Sequence, residues 1–570
     1  MDPVDAPKKR ENRYGADVKQ LDPRLAKLIL AVAVCVVYLP LLGGGFVWDD
    51  HLLILQNQLT DSFSNIPKMF QTDLWGATPI ADEKTGYYRP LMLVDLTLSR
   101  SVAGLEPWVY HLHNLLWHCA SIFFLLKLLQ SVVQDSLAAV LGTAIFALHP
   151  TQLEAVGFIS ARNDPMAVTW LLIALNLLSR QRPSTMALLG GALAACAAML
   201  CKESVVFAPI LLAFACHARW GRWGSWRAHL SVLGGFGIAL LMRMNAGVGV
   251  PEQAEWSRLE TVGLPSLAFY LDKLLVPFDI APVIHFGWLP AVPWATAGLA
   301  IVLLVWIGKV GGSSARAGIA FAFLGLLPAW AAVAHVGAVV DRYLYLPMVG
   351  IGWAVAVVAR RPGGRRIAQL AAVAFVVLSV RQAPVWKNDA SVWMASIERA
   401  PSGYAKGALA KWLDDQGMSK AAAHWYLEAV SQDPMPFEHS CFNLSRSHLK
   451  AHGPAAAIEA TQKGLVHGCE RSAELMAPYA LAYALEGQWE QALAMAQEVS
   501  PDPTGKAVIA KLAAKTQLGD IQALQDAIES ADKGQGADLR RQVLKVLDHA
   551  GADVDSVTSV LDASGGAEAE

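Results

Sequence analysis

The chain has 570 residues, of which 54% are hydrophobic and only 16% charged, against about 25% charged residues in soluble globular domains. The formal net charge of −2 excludes a strongly basic nucleic-acid-binding surface. The length allows two or three domains at about 100–200 residues each.

Positions 1–27, "MDPVDAPKKRENRYGADVKQLDPRLAK", are polar and carry Lys8, Lys9, Arg10, Arg13, Arg24 and Lys27. They are too long, and too poor in a small-residue cleavage site, for a cleaved signal peptide, and read as a cytoplasmic tail. From 28 to 383 successive apolar segments predict a polytopic all-α membrane bundle. About eleven crossings are expected, at 28–46, 111–132, 136–148, 165–178, 186–200, 204–217, 228–243, 291–308, 317–334, 342–358 and 367–381. Basic clusters at 179–182, 217–227, 309–316 and 359–366 fall on one side of this order, which makes that side cytoplasmic. The region 245–290, broken by Pro277 and Pro282, is expected as an outer-face amphipathic or re-entrant segment. Were it a span, the terminal domain would face the cytoplasm.

After Trp386 the apolar runs shorten, and Ala, Glu, Lys and Gln predominate. Gly417, Gly453, Gly487 and Gly519 stand 36, 34 and 32 residues apart, near the tetratricopeptide period of about 34. Small residues follow each turn (Ala421, Ala456, Ala492, Ala523), and Pro434 and Pro501 end second helices. A helical solenoid over 384–535 is therefore expected, opened by the half repeat "WKNDASVWMASIERAP". Residues 536–570 follow as a C-terminal helix and frayed tail. Of seven cysteines, five read as packing residues in or near spans. Cys441 and Cys469 sit in neighbouring repeats, either free or joined in an oxidising compartment. No CxxC metal spacing occurs.

On this topology four polar stretches meet at the outer face. The first, "FVWDDH", places Asp49 and Asp50 where the first span ends. These are either a solvated cap or a pair in which repulsion and desolvation raise one pKa toward that of a general base. "YYRPL" in the same loop adds Arg89. In "YHLHNLLWH", His111, Asn114 and His118 share a helical face and read as interhelical hydrogen-bonding groups. "HPTQLEAVGFISARND" brings His149, Glu154, Arg162 and Asp164, "CKES" brings Lys202 and Glu203, and "DRYLYLP" brings Asp341, Arg342, Tyr343 and Tyr345. Singly these are ordinary interfacial anchors; together they supply acids and cations at one surface, which suits a lipid phosphate.

"FVWDD", "YYRPL", "HLHNLLWH", "HPTQLEAV…ARND", "CKES" and "DRYLYLP", in this order and followed by repeats, resemble the transmembrane and tetratricopeptide-repeat O-mannosyltransferase-like proteins of the GT-C glycosyltransferase superfamily. The resemblance implies inverting transfer from a polyprenyl-phosphate sugar, with an acidic first-loop residue, Asp49 or Asp50, as base. Glu154 is then expected to orient the acceptor or share that role. Arg89, Arg162, Lys202, Arg342 and Tyr345 would bind the donor phosphate; His111, Asn114, His118 and His149 form a structural polar face. No metal or cofactor is required, since the lipid phosphate is itself a good leaving group, and a protein acceptor would be held by the repeats. The protein is expected in the inner membrane if bacterial, with its N-terminus cytoplasmic and its repeats outside. The alternative is a non-catalytic scaffold that recruits proteins through its repeats. An anchor needs one span, however, so eleven argue against it. A transporter is disfavoured because the charges gather at one face rather than at the midplane.

Overall fold

A computed structural model describes residues 22–565, apart from 82–84, 250–257, 279–280, 286–291, 432–437, 500, 503 and 532. The basic tail residues before Asp22, and Pro434, lie outside the described residues. Helix accounts for 79% of the structure. Among the described residues the one strand pair is Ile284–His285 with Ala338–Val339, antiparallel.

Among the described residues four helical stretches are long and apolar enough to cross a bilayer: Pro23–Gly43, Pro107–Val133, Trp294–Val333 and Pro362–Lys387. Their surfaces bear this out. In Pro23–Tyr38, Ala26, Leu30, Val34 and Val37 are buried, while Leu25, Leu28, Ile29, Val32 and Val36 are exposed. Pro362–Gln382 likewise exposes Ile367, Leu370, Val373 and Val377. Helices apolar all round, with large aliphatic side chains left on the outside, are suited to hydrocarbon rather than water. The chain is a membrane protein.

Shorter helices fill the interior. Every residue from Leu137 to Leu148 of Ser136–Leu148 is buried. It crosses Tyr345–Val358 so closely that a Cβ on Gly142 would lie 2.2 Å from the Gly352 carbonyl oxygen. The same helix meets the long Trp294–Val336 helix at Gly350, where a Cβ would lie 2.3 Å from Gly318 O. Such backbone approach gives the dense packing on which helix association in lipid relies. Trp294–Val336 would measure about 65 Å if straight, roughly twice a hydrocarbon core. Gly312, at φ 68°, ψ −152°, breaks it. A Cβ on Gly308 would touch Arg316 and Ile319 at 3.2 and 3.5 Å, contacts across the break that a continuous helix cannot make. In the ambiguous 245–290 region the described residues form Arg258–Lys273, with Pro265 inside it, and the first strand.

Among the described residues from 403 to 530 the chain is built of helix pairs: Gly403–Asp415 with Ser419–Ser431, Glu438–His452 with Pro454–Val466, Ala473–Leu485 with Trp489–Gln497, and Lys506–Gln517 with Gln522–Ser530. Gly417, Gly453, Gly487 and Gly519 all take positive φ, 71–97°, which is why each turn carries glycine. Cys441 and Cys469 are joined in a disulfide. Beyond these pairs lie the helices Lys533–His549 and Val554–Gly565, and residues 566–570 of the tail lie outside the described residues. A continuous apolar core runs from Ala26 to Leu475, across position 384, and a second from Met476 to Leu561.

Candidate functional site

After the tight turn Leu39–Gly43 the chain passes beneath the helix Pro107–Val133. A Cβ on Gly44 would come within 3.1 Å of His111 Nε2 and of Leu41 O, so any side chain there would crowd the turn. Trp48 then adopts φ +53°, a left-handed conformation that a bulky residue takes only when its surroundings impose it. Its ring stacks on Phe158 at 5.2 Å. The turn separates the two carboxylates. Asp50 is fully buried and accepts hydrogen bonds from Val47 N–H (3.0 Å), Ser160 N–H (2.8 Å) and Ser160 Oγ–H (2.5 Å). Asp49 carries none of these bonds; it is half-buried and lines a cavity of about 560 Å³. Burial pushes the Asp49 carboxyl up to about 6, opposed by Arg342. Asp50 is pushed up to about 7, again chiefly by burial, against its hydrogen bonds.

Four cations share this cavity with Asp49: Arg89, Lys202, Arg243 and Arg342. Arg89 precedes Pro90, the first residue of Pro90–Ala103. Its guanidinium lies 3.1 Å from Glu203 and 4.5 Å from the Tyr87 ring. Arg243 reaches the other oxygen of Glu203 at 3.9 Å. Lys202 Nζ donates to both oxygens of Asp164, at 2.6 and 2.7 Å. Arg342 is paired with Glu154, which also accepts its backbone N–H at 2.9 Å. The guanidinium lies over the rings of Trp48 and Phe158, at 5.4 and 5.6 Å.

Several expected site residues stand elsewhere. Glu154 is fully buried behind Arg342 and is not among the residues that line the cavity. Arg162, also fully buried, donates to Asp95 (2.7 Å), Asn114 (2.6 Å), Ser99 (2.7 Å) and Tyr110 O (2.7 Å). These bonds tie Pro107–Val133 to Pro90–Ala103, and Arg162 is not among the residues that line the cavity. Tyr345 is buried with its hydroxyl 2.7 Å from His118 Nδ1, away from the cavity that Tyr343 lines. The polar face is interior: His111 Nε2 lies 3.3 Å from Gly45 O, Asn114 donates to Val156 O and Phe158 O, and His118 Nε2 lies 3.2 Å from Ala147 O. His149 is not with them. It contacts Thr151 at 2.8 Å and lines a separate apolar crevice with Phe375. Among the described residues no metal-ligand set of three or more His, Cys, Asp or Glu is assembled.

Sequence reasoning missed Arg243, Asn163, Tyr87 and Tyr404, all in the lining. Arg243 had a signal, as a lone cation at the end of an apolar segment. Tyr404 had none, because it comes from the C-terminal half.

A helical membrane protein with a cavity lined by Asp49, Glu203 and four held cations has the means to bind an anionic group beside a carboxylate. No family model and no solved structure matches the chain. Among curated proteins it is 34% identical over 188 residues to the protein O-mannosyl-transferase Tmtc2 of Drosophila melanogaster, covering 31% of this chain and 20% of that protein. It is 32% identical over 131 residues to human TMTC3, covering 23% and 14%. An alignment with F38B6.6 of Caenorhabditis elegans, also named a protein O-mannosyl-transferase, runs over 446 residues at 24% identity, 72% of this chain and 63% of that protein. The chain is thus similar to proteins named protein O-mannosyl-transferases. The chain's match spans about a fifth of the Drosophila relative's own length.

Proposed function

We propose that the protein is an integral-membrane glycosyltransferase of GT-C type that moves a sugar from a polyprenyl-phosphate donor to a hydroxyl on a protein. The observation that carries this reading is the placement of Asp49, half-buried in a cavity with Arg89, Lys202, Arg243 and Arg342. Asp49 takes the proton of the acceptor hydroxyl. The oxygen attacks the anomeric carbon from the face opposite the phosphate, the carbon–oxygen bond to phosphate breaks, and configuration inverts. The lipid phosphate leaves with the bonding pair, and the four cations meet its charge. The names of the relatives support mannose as the sugar and protein as the acceptor.

About eleven crossings and an outer-face cavity belong to the same reading. The fold-back at Gly312 supports counting Trp294–Val336 as two spans. The Cys441–Cys469 bridge supports an oxidising, extracytoplasmic side for the C-terminal helices, which we read as a tetratricopeptide-type solenoid holding the acceptor in extended form. Reporter fusions at the amino terminus and after Gln382 should report opposite compartments; the same compartment for both would refute the topology. The activity is tested with purified protein in lipid nanodiscs, polyprenyl-phosphate mannose and envelope proteins from cells lacking this chain, read by mass spectrometry. Wild-type protein should add hexose to specific serines or threonines and Asp49→Asn should not. No transfer by either sinks the reading.

A further inference from the structure

The segment "WKNDASVW", Trp386 to Trp393, has a role that repeat periodicity does not explain. Asn388 caps the helix Asp389–Arg399 with a reciprocal capping box. Asp389, the first residue of that helix, is buried and turns its carboxylate onto the loop that carries Asp49. One oxygen accepts the Trp48 N–H at 2.8 Å, and the other lies 2.7 Å from His51 Nε2. A single carboxylate thus holds the residues on both sides of Asp49–Asp50.

Other restraints on the loop come from the same part of the chain. Trp48 Nε1–H donates to Tyr404 Oη at 2.9 Å, and Trp393 packs its edge on the Trp48 ring at 5.6 Å. Gly45 N–H donates to Lys387 O at 2.9 Å, and Trp386 stacks on Phe158 at 5.8 Å. A helix that merely abutted the membrane region would use apolar contacts. A buried carboxylate committed to the backbone of the residue before Asp49 fixes a conformation, here the left-handed one at Trp48.

We propose that residues 386–404 form a clamp that sets the position of Asp49, with Asp389 as its positioning residue, so that the cavity is completed by the C-terminal helices and not by the membrane region alone. The proposal rests on the reading of Asp49 as base, because the clamp matters for turnover only if Asp49 acts there. A base displaced by about 1 Å can cost on the order of a hundredfold in rate, so a device that removes the loop's freedom acts on kcat.

The test uses the full-length protein in nanodiscs, with polyprenyl-phosphate mannose as donor. Asp389→Ala should lower kcat about tenfold to a hundredfold, as expected for loss of charge-assisted hydrogen bonds, and leave the donor KM unchanged. Asp389→Asn keeps an oxygen able to accept the Trp48 N–H and should restore most of kcat. Tyr404→Phe, which removes one acceptor, should lower kcat by about fivefold. Amide hydrogen exchange at Trp48 reads the clamp without reference to chemistry; it should speed up in Asp389→Ala and stay slow in Asp389→Asn. Unchanged kcat or unchanged exchange in Asp389→Ala overturns the clamp. So does equal loss in the Ala and Asn variants when both melt as the wild type does. Should Asp389→Ala fail to fold, wild-type kcat in Tyr404→Phe overturns it instead. Asp49→Asn is assayed in parallel. Turnover in that variant refutes the base while the exchange result stands, so the two failures are distinguishable.

Discussion

Asp49→Asn should cost activity and raise stability at once. As base, Asp49 contributes about a hundredfold to ten-thousandfold to the rate, so transfer should fall at least a hundredfold in the variant. Stability moves the other way, because burial raises the Asp49 pKa from 3.8 to about 6 in the folded protein. The folded state therefore binds this proton more tightly than the unfolded state does. Stability falls as pH rises from about 4 to about 6, and above that the penalty is present in full. A shift of about two units corresponds to at most about 3 kcal/mol; since Asp49 is only half-buried, about 1–2 kcal/mol is the working figure. Asparagine carries no charge and escapes this cost. Thermal unfolding in one detergent at pH 7.5 should show the variant more stable than wild type, with the difference vanishing below about pH 4. A less stable variant, or one with turnover within tenfold of wild type, would refute the assignment.

Asp50→Asn removes one of the two oxygens that accept three hydrogen bonds, a loss of about 1–3 kcal/mol, while it escapes the burial penalty on a carboxyl pushed up to about 7; unfolding assays should show the variant less stable than wild type near pH 4, with the difference shrinking as pH rises through about 7. Gly350→Ala places a methyl 2.3 Å from Gly318 O and 2.5 Å from Ala322 N. Backbone cannot give way as a side chain would, so overpacking of about 1–3 kcal/mol should appear as a lowered melting temperature. Cys441→Ser with Cys469→Ser opens a 28-residue loop and should destabilise the C-terminal helices by about 3–4 kcal/mol, seen as faster proteolysis there. Wild-type resistance to protease would contradict it.

Much of the cavity was legible because its residues sit where apolar runs end. Asp49, Lys202 and Arg342 each stand beside an expected segment boundary, Arg89 lies in the first loop, and the packing brings them to one surface. What the sequence hides is direction within a motif. In "ARND" the turn Ile159–Ala161 sends Arg162 inward to Asp95 and, two residues on, Asp164 to Lys202. In "DRYLYLP" the tight turn Asp341–Leu344 puts Arg342 and Tyr343 into the cavity, whereas Tyr345 opens the next helix and meets His118. Adjacent letters predict proximity, but the local backbone decides which side chain reaches the solvent. Tyr404 and Asp389 were illegible for another reason. They reach Trp48 across 356 and 341 residues, and no local pattern encodes such a contact.

The charges in the cavity bear on how a donor would alter its own base. Arg342 is held by Glu154, Lys202 by Asp164, and Arg89 and Arg243 share Glu203. With Asp49 that makes four cations against four carboxylates, so the site is close to neutral when empty. These carboxylates fix where the cations point, and each cation keeps further N–H donors for a ligand. A phosphate diester would bring one more negative charge into this balanced set, close to Asp49. That charge disfavours the ionised carboxyl and raises its pKa beyond about 6. The acid limb of kcat/KM, which reports the free protein, should therefore have its midpoint near pH 6. The limb of kcat, which reports the donor complex, should lie above it. Initial rates from pH 4.5 to 8.5 at constant ionic strength separate the two. Coincident limbs, or a kcat limb on the acid side of the other, would mean that the phosphate does not sit beside Asp49.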